Sequence, residues 1–172
     1  MNAGRLVVVA ILVAAAMVGA GIWYAQTRAY YEPERADVPI VLTTAEGEVT
    51  APTEWVRSID AASSPRRFRA CFQLEGPAPA ALPAPAPAEP TIAPAWFDCY
   101  DAGAIAADLA AGRAVPVLAQ ANVIYGIDRL AALYPDGRGY AWHEINRCGA
   151  AAFDGRPVPA GCPPPPPSSP EA

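Results

Sequence analysis

The sequence predicts an α+β domain held behind an N-terminal transmembrane helix. The expected domain is a small antiparallel sheet with one packed helix, cross-linked by disulfides. Three observations carry that prediction. An uncharged apolar run occupies Leu6–Tyr24. Short segments beyond it alternate apolar and polar residues and are broken by proline and glycine, the signature of strands and turns. Four cysteines, Cys71, Cys99, Cys148 and Cys162, all lie beyond the apolar run.

The run LVVVAILVAAAMVGAGIWY contains no proline. As a helix it would extend roughly 28 Å, close to the hydrocarbon thickness of a bilayer. Trp23 and Tyr24 close it with the amphipathic rings that favour a membrane boundary. A cleaved signal peptide is the rival reading, with Arg5 as basic region, Leu6–Met17 as apolar core and Val18-Gly19-Ala20 as cleavage site. The apolar character continues past that site to Tyr24, which favours an uncleaved anchor over residues 1–25. Small residues recur at four-residue spacing, as in Ala15 with Gly19 and Gly21 with Ala25, so a partner transmembrane helix could approach closely.

Residues 26–39 read as a polar stalk ending at Pro33 and Pro39. The domain is expected over 40–162. Ile40–Thr44 is a short strand candidate, followed by a turn at Glu46-Gly47-Glu48. Pro52–Ser58 reads as a helical turn started at Thr53. In Arg66–Leu74, Phe68, Ala70, Phe72 and Leu74 recur with period two and predict a half-buried strand. A Pro/Ala-rich loop follows at 76–94, a composition that favours extended polyproline II. Asp101 caps a helix from Ala102 to about Ala111, with Ile105 and Leu109 on one face and Gly112 ending it. Ala114–Ala119 and Val123–Tyr134 are further strands. Tyr134-Pro135-Asp136-Gly137 is the strongest local signal: proline presets φ, glycine takes the positive φ, and a strand returns over Gly139–Asn146. Residues 163–172 form a proline-rich tail expected to be disordered.

Composition restricts function. The chain has 172 residues and a formal charge of −5, and its 12 basic residues are all arginine. Without the anchor and proline-rich pieces, roughly 110 residues remain, enough for one core. An acidic chain without a basic cluster is a poor nucleic-acid binder, so no nucleic-acid partner is expected. Arg5 before the span and Arg28 after it orient it only weakly. The cysteines orient it better: an even number without a C-x-x-C pair suits two disulfides in an oxidising space. The expected location is therefore a bacterial inner membrane, with the domain in the periplasm. Three connectivities are open, and Cys71–Cys99 with Cys148–Cys162 is favoured because each closes a loop and leaves the sheet free.

No Ser–His–Asp pattern, Gly-x-Ser-x-Gly, phosphate-binding glycine loop or His-Glu-x-x-His is present. Cysteine spacings of 28, 49 and 14 do not suit zinc. No catalytic residue, metal set or cofactor is therefore assigned. His143, the sole histidine, reads as an ordinary strand histidine. Asp128-Arg129 is an odd charged pair in mid-strand, with Arg67 or Arg69 as a partner for Asp128. A ligand site, if one exists, would draw on Trp96, Tyr125, Asp128, Arg129, Trp142 and His143.

The strings GAGIWYAQ, SIDAASSPRRFRACF, APAWFDCYDA, YGIDRLAALYPDGRGYAWHEIN and FDGRPVPAGCPPPP together resemble an uncharacterised family of alphaproteobacterial single-span proteins, a domain of unknown function. The resemblance implies a shared fold and an anchored topology. It implies no activity, so no catalytic residue carries over. The leading expectation is a non-enzymatic accessory or assembly subunit of an inner-membrane complex. A periplasmic small-ligand or peptide-binding module, and an enzyme with an unrecognised site, are the rivals.

Overall fold

The computed structural model describes residues 2–77, 82–83 and 88–166. Of the loop expected at 76–94, residues 78–81 and 84–87 fall outside the described residues, as do 167–172 of the tail expected at 163–172.

The apolar run forms helix α1, Ala3–Tyr24, and continues as one π-helical turn over Ala25–Ala29. The combined helix, Ala3–Ala29, is long and apolar enough to cross a membrane, and none of it is buried within the chain. Residues 30–39 then run along the domain. Glu32 N donates to Asp60 O, and Arg35 exchanges backbone hydrogen bonds with Ser58.

Two antiparallel sheets follow. β1 (Ile40–Thr44) and β2 (Gly47–Ala51) form a hairpin through a two-residue turn at Ala45-Glu46, so that Gly47 and Glu48 of the turn expected at Glu46-Gly47-Glu48 lie in β2. β3 (Thr53–Ile59), β4 (Arg69–Leu74), β5 (Val115–Ile124), β6 (Ile127–Leu133) and β7 (Arg138–Ile145) form a sheet in the order β3-β4-β7-β6-β5. Helix α2 (Ala102–Ala110) precedes β5, and helix α3 (Arg147–Phe153) follows β7.

Four expectations are corrected. Residues 53–59 form strand β3 instead of a helical turn, because pairing with β4 along its length outweighs the local cap signal at Thr53. Val123–Tyr134 is a hairpin instead of one strand: β5 ends at Ile124, and Tyr125-Gly126 turns the chain into β6. Strand β4 is buried on both faces, with Ala70, Cys71 and Phe72 each no more than 1% exposed. Finally, α3 occupies part of the presumed loop between Cys148 and Cys162, capped by Asn146, whose Oδ1 accepts from Cys148 N and Gly149 N.

Both faces of the large sheet are covered, giving three layers. On one face the β1–β2 hairpin packs Ile40, Leu42 and Ala51 against Phe72, Leu74, Val117 and Leu133. Small residues make this fit: Ala70, Ala141 and Ala131 sit side by side across β4, β7 and β6. Gly139 leaves the space that the Phe72 ring fills. On the other face, Trp142, Leu130 and Ala132 meet Phe97, Tyr100 and Ile105 of the segment containing α2. Burying a side chain such as Phe72 or Trp142 stabilises the fold by about 1.5–3 kcal/mol or more. Two disulfides join Cys71 to Cys99 and Cys148 to Cys162, the favoured connectivity. The first ties the aromatic segment 95–100 to β4, and the second ties the C-terminal stretch to α3.

The local signals hold where turn chemistry is explicit. Asp101 Oδ1 accepts from Ala104 N at 3.0 Å and starts α2. Gly137 has φ +84° in the Pro135-Asp136-Gly137 turn, and Tyr134 N and Arg138 O close it at 2.9 Å. This turn sets the register of β6 against β7, and that register builds the site below.

Candidate functional site

Strands β6 and β7 pair so that Arg129 stands opposite His143 and Asp128 opposite Glu144. Successive side chains of a strand point to opposite faces. Arg129 and His143 therefore share the face of Ala131 and Ala141, while Asp128, Trp142 and Glu144 lie on the other. The first pair lies just beyond the area covered by the β1–β2 hairpin. There Phe68, at the entry to β4, stacks on His143 with ring centroids 4.7 Å apart.

A defined chain of hydrogen bonds results. His143 Nδ1 donates to Pro65 O at 2.7 Å, and His143 Nε2 accepts from Arg129 Nε at 3.1 Å. The two partners select the neutral tautomer with the proton on Nδ1, because an arginine can only donate. The Arg129 guanidinium lies over the Phe68 ring, 4.0 Å from its centroid. His143 is 5% exposed. Burial, with Arg129 and Arg69 adding repulsion, pushes its pKa down to about 4, against the favourable bond to Pro65 O. The imidazole is thus neutral at physiological pH. Burial also weakens the hold of Arg129 on its proton.

A surface cleft of about 380 Å³ opens over this pair. Asp60, Glu32, Ala61, Val123 and Ile124 also line it. Asp60 accepts from Ala61 N at 2.8 Å, and burial raises its carboxyl above the usual range.

The other expected site residues do not join this cleft. Asp128 does not meet Arg67 or Arg69, since β7 stands between β6 and β4. Its Oδ1 instead accepts from Asn122 N and Asn146 Nδ2, each at 2.8 Å. Asn146 also donates to Asn122 Oδ1 at 3.1 Å, so the three residues tie the β5–β6 turn to the cap of α3. Trp142 is fully buried on the opposite face, with Nε1 donating to Glu144 Oε1 at 2.6 Å. Tyr125 sits in the β5–β6 turn and donates to Pro163 O at 3.2 Å. Trp96 lies at the end of the apolar helix, where Nε1 donates to Thr27 O at 2.5 Å.

Residues not anticipated for the site are Phe68, Asp60, Glu32 and Pro65. The period of two puts Phe68 on the Ala70 and Phe72 face, but that alone does not say which strand lies beside it. Asp60 and Glu32 come from connecting segments and carry no local signal.

Elsewhere, Arg69 is 4% exposed and donates to four backbone carbonyls, of Arg66, Phe68, Thr91 and Ile92. It pins the 91–92 segment to β4. Glu144 holds Glu89 N at 2.6 Å and does the same for residue 89. Among the described residues, no group of three or more His, Cys, Asp or Glu is placed to hold a metal ion.

The model of the Family of unknown function (DUF6446) matches residues 38–163, and the chain belongs to that family. No curated protein and no solved structure matches the chain.

Proposed function

We propose that this member of a family of unknown function is a single-span membrane protein with its domain outside the cytoplasm. There it serves a membrane-embedded complex as a non-enzymatic accessory or assembly subunit. The observation that carries the reading is the joint between helix and domain. Trp96 Nε1 donates to Thr27 O, and Arg67 donates to Gln26 Oε1 at 3.1 Å. Arg28 lies over the Trp96 ring at 5.6 Å, and Arg67 over Tyr31 at 5.3 Å. Trp96 and Tyr31 meet edge to face at 5.7 Å. A simple tether needs none of these contacts. A subunit that must present one surface to a neighbour in the membrane does.

Two further features agree. The apolar part of the Ala3–Ala29 helix is not buried within the chain and carries small residues at four-residue spacing, which suits close approach of another helix. Both disulfides fit an oxidising compartment and support a domain outside the cytoplasm.

The test is purification of tagged full-length protein from membranes in mild detergent, with mass spectrometry of its companions and of its own amino terminus. A stoichiometric inner-membrane complex with Leu6–Tyr24 retained is the expected result. A solitary protein, or one cleaved after Ala20, refutes the proposal.

A further inference from the structure

We propose that the cleft over Arg129 and His143 binds a small zwitterion of the amino-acid or dipeptide class. Its carboxylate would sit on the Arg129 guanidinium and its ammonium toward Asp60 and Glu32. This inference stands apart from the membrane partner and survives if that reading fails.

The first argument is the unused half of Arg129. Its Nε is committed to His143 Nε2, and its planar face rests on Phe68. Among the described residues, Nη1 and Nη2 make no hydrogen bond and no carboxylate forms an ion pair with them, yet neither atom is sealed from solvent. A guanidinium stripped of part of its water and given no acid in direct contact, with Asp60 acting on it only through space, is an expensive arrangement. Arg69, buried beside this sheet, shows the contrast: four carbonyls satisfy it. Arg129 is instead fixed from one side by the chain Pro65 O, His143, Nε and presents its terminal fork to open space. A planar fork held in this way matches a carboxylate through two parallel N–H···O bonds.

The second argument comes from the opposite wall. Among the described residues, Asp60 uses its carboxylate only for Ala61 N, and Glu32 makes no side-chain hydrogen bond. Both line the same cleft as Arg129 without pairing to it. One positive and two negative groups therefore face a common space from separate positions. A dicarboxylate would drive its second charge against Asp60 and Glu32. A diamine would drive one of its charges against Arg129. A molecule with one group of each sign satisfies both walls.

Size and lining set the class. A volume of about 380 Å³ lies at the small end of ligand sites, which run from about 300 to 1,000 Å³. Val123 and Ile124 supply an apolar wall beside the charged groups, suited to an aliphatic side chain.

The test is isothermal titration of the full-length protein in detergent with L-leucine, L-alanyl-L-leucine, succinate and putrescine. The expected result is binding of one or both zwitterions and of neither control. Arg129→Gln is expected to weaken that binding by about 30-fold or more, the loss typical of removing one partner of a desolvated charge pair. Because Arg129→Gln disturbs His143, Asp60→Asn provides the second variant. It touches no hydrogen bond of Arg129 and is expected to weaken zwitterion binding while leaving the melting temperature within a few degrees. No binding of either zwitterion at millimolar concentration overturns the proposal. So does equal binding of succinate or putrescine, or full affinity in the Asp60→Asn protein.

Discussion

Lowering the pH is expected to destabilise this fold through one residue, His143. The unfolded chain takes up a proton on this imidazole at its ordinary pKa of 6.5, whereas the folded chain resists until about 4. The unfolded state therefore binds more protons between those values, and stability falls as pH falls through that window. The contribution is fully present above about pH 6.5. Integrating the difference gives a loss of about 2–3 kcal/mol between about pH 7.5 and about pH 4.5. Asp60 and Glu144 act with the opposite sign, because burial raises both carboxyls and their folded forms keep a proton to higher pH. The histidine is isolated by comparison with His143→Gln, which retains an acceptor for Arg129 Nε but does not titrate. The assay is urea unfolding of both full-length proteins in detergent, followed by tryptophan fluorescence with the buried Trp142 as reporter. The wild-type advantage at neutral pH should shrink by about 2–3 kcal/mol at about pH 4.5. An advantage constant within about 0.5 kcal/mol over that range would refute the reasoning and place a charged imidazole in the fold.

Three further outcomes are expected. The Cys71→Ala/Cys99→Ala double variant frees two residues 28 apart in sequence, and loop-closure entropy puts its loss at about 3.5 kcal/mol, read by thermal unfolding; a loss below about 1 kcal/mol would contradict that loop account. Gly149→Ala pushes a Cβ into the backbone of Gly126, which has no side chain to rotate away, so urea unfolding should show a loss of about 2–3 kcal/mol or more; an unchanged midpoint would mean that α3 is not packed on the β5–β6 turn. Trp96→Phe keeps a ring but removes the donor to Thr27 O, and should cost about 1 kcal/mol while broadening the distance distribution between spin labels on the helix and the domain. An unaltered distribution would show that this hydrogen bond does not hold the joint.

What could be read from the sequence was what its chemistry writes locally. Pro135-Asp136-Gly137 specified a hairpin because each residue favours its position in the turn, and Asp101 marked the start of α2 because its carboxylate has one good use there. The Tyr125-Gly126 turn escaped because it lies among Val123, Ile124 and Ile127, which read as continuous strand, and because its support, Asn122 Oδ1 accepting from Gly126 N, comes from within β5. Asn146 ends the strand expected over Gly139–Asn146 and also caps α3, a double role that Cys148 and Cys162, which suggest a loop between them, hide in the sequence. Strand β3 was decided by its partner β4, and no window around Thr53 contains that partner. The cleft divides along the same line. Arg129 and His143 were visible as residue types on strands, yet their pairing needs the register of two strands. Phe68, Asp60 and Glu32 reach them from segments far away in sequence, where only the assembled fold brings the groups together.

The fastened joint also makes the domain's heading a matter of counting. From Ala3 to Ala29 the chain is one uninterrupted helix, and its last residues are bonded to the domain. Each residue of an α-helix advances the azimuth by about 100°. In an anchored protein, one alanine added within Val7–Val18 would swing the domain by about that angle around the membrane normal, while seven would return it to within about 20° of its starting bearing. Such a molecule works as a compass needle on a keyed shaft. Activity plotted against the number of inserted residues would then follow the helical repeat, whereas a loose leash would give a flat line.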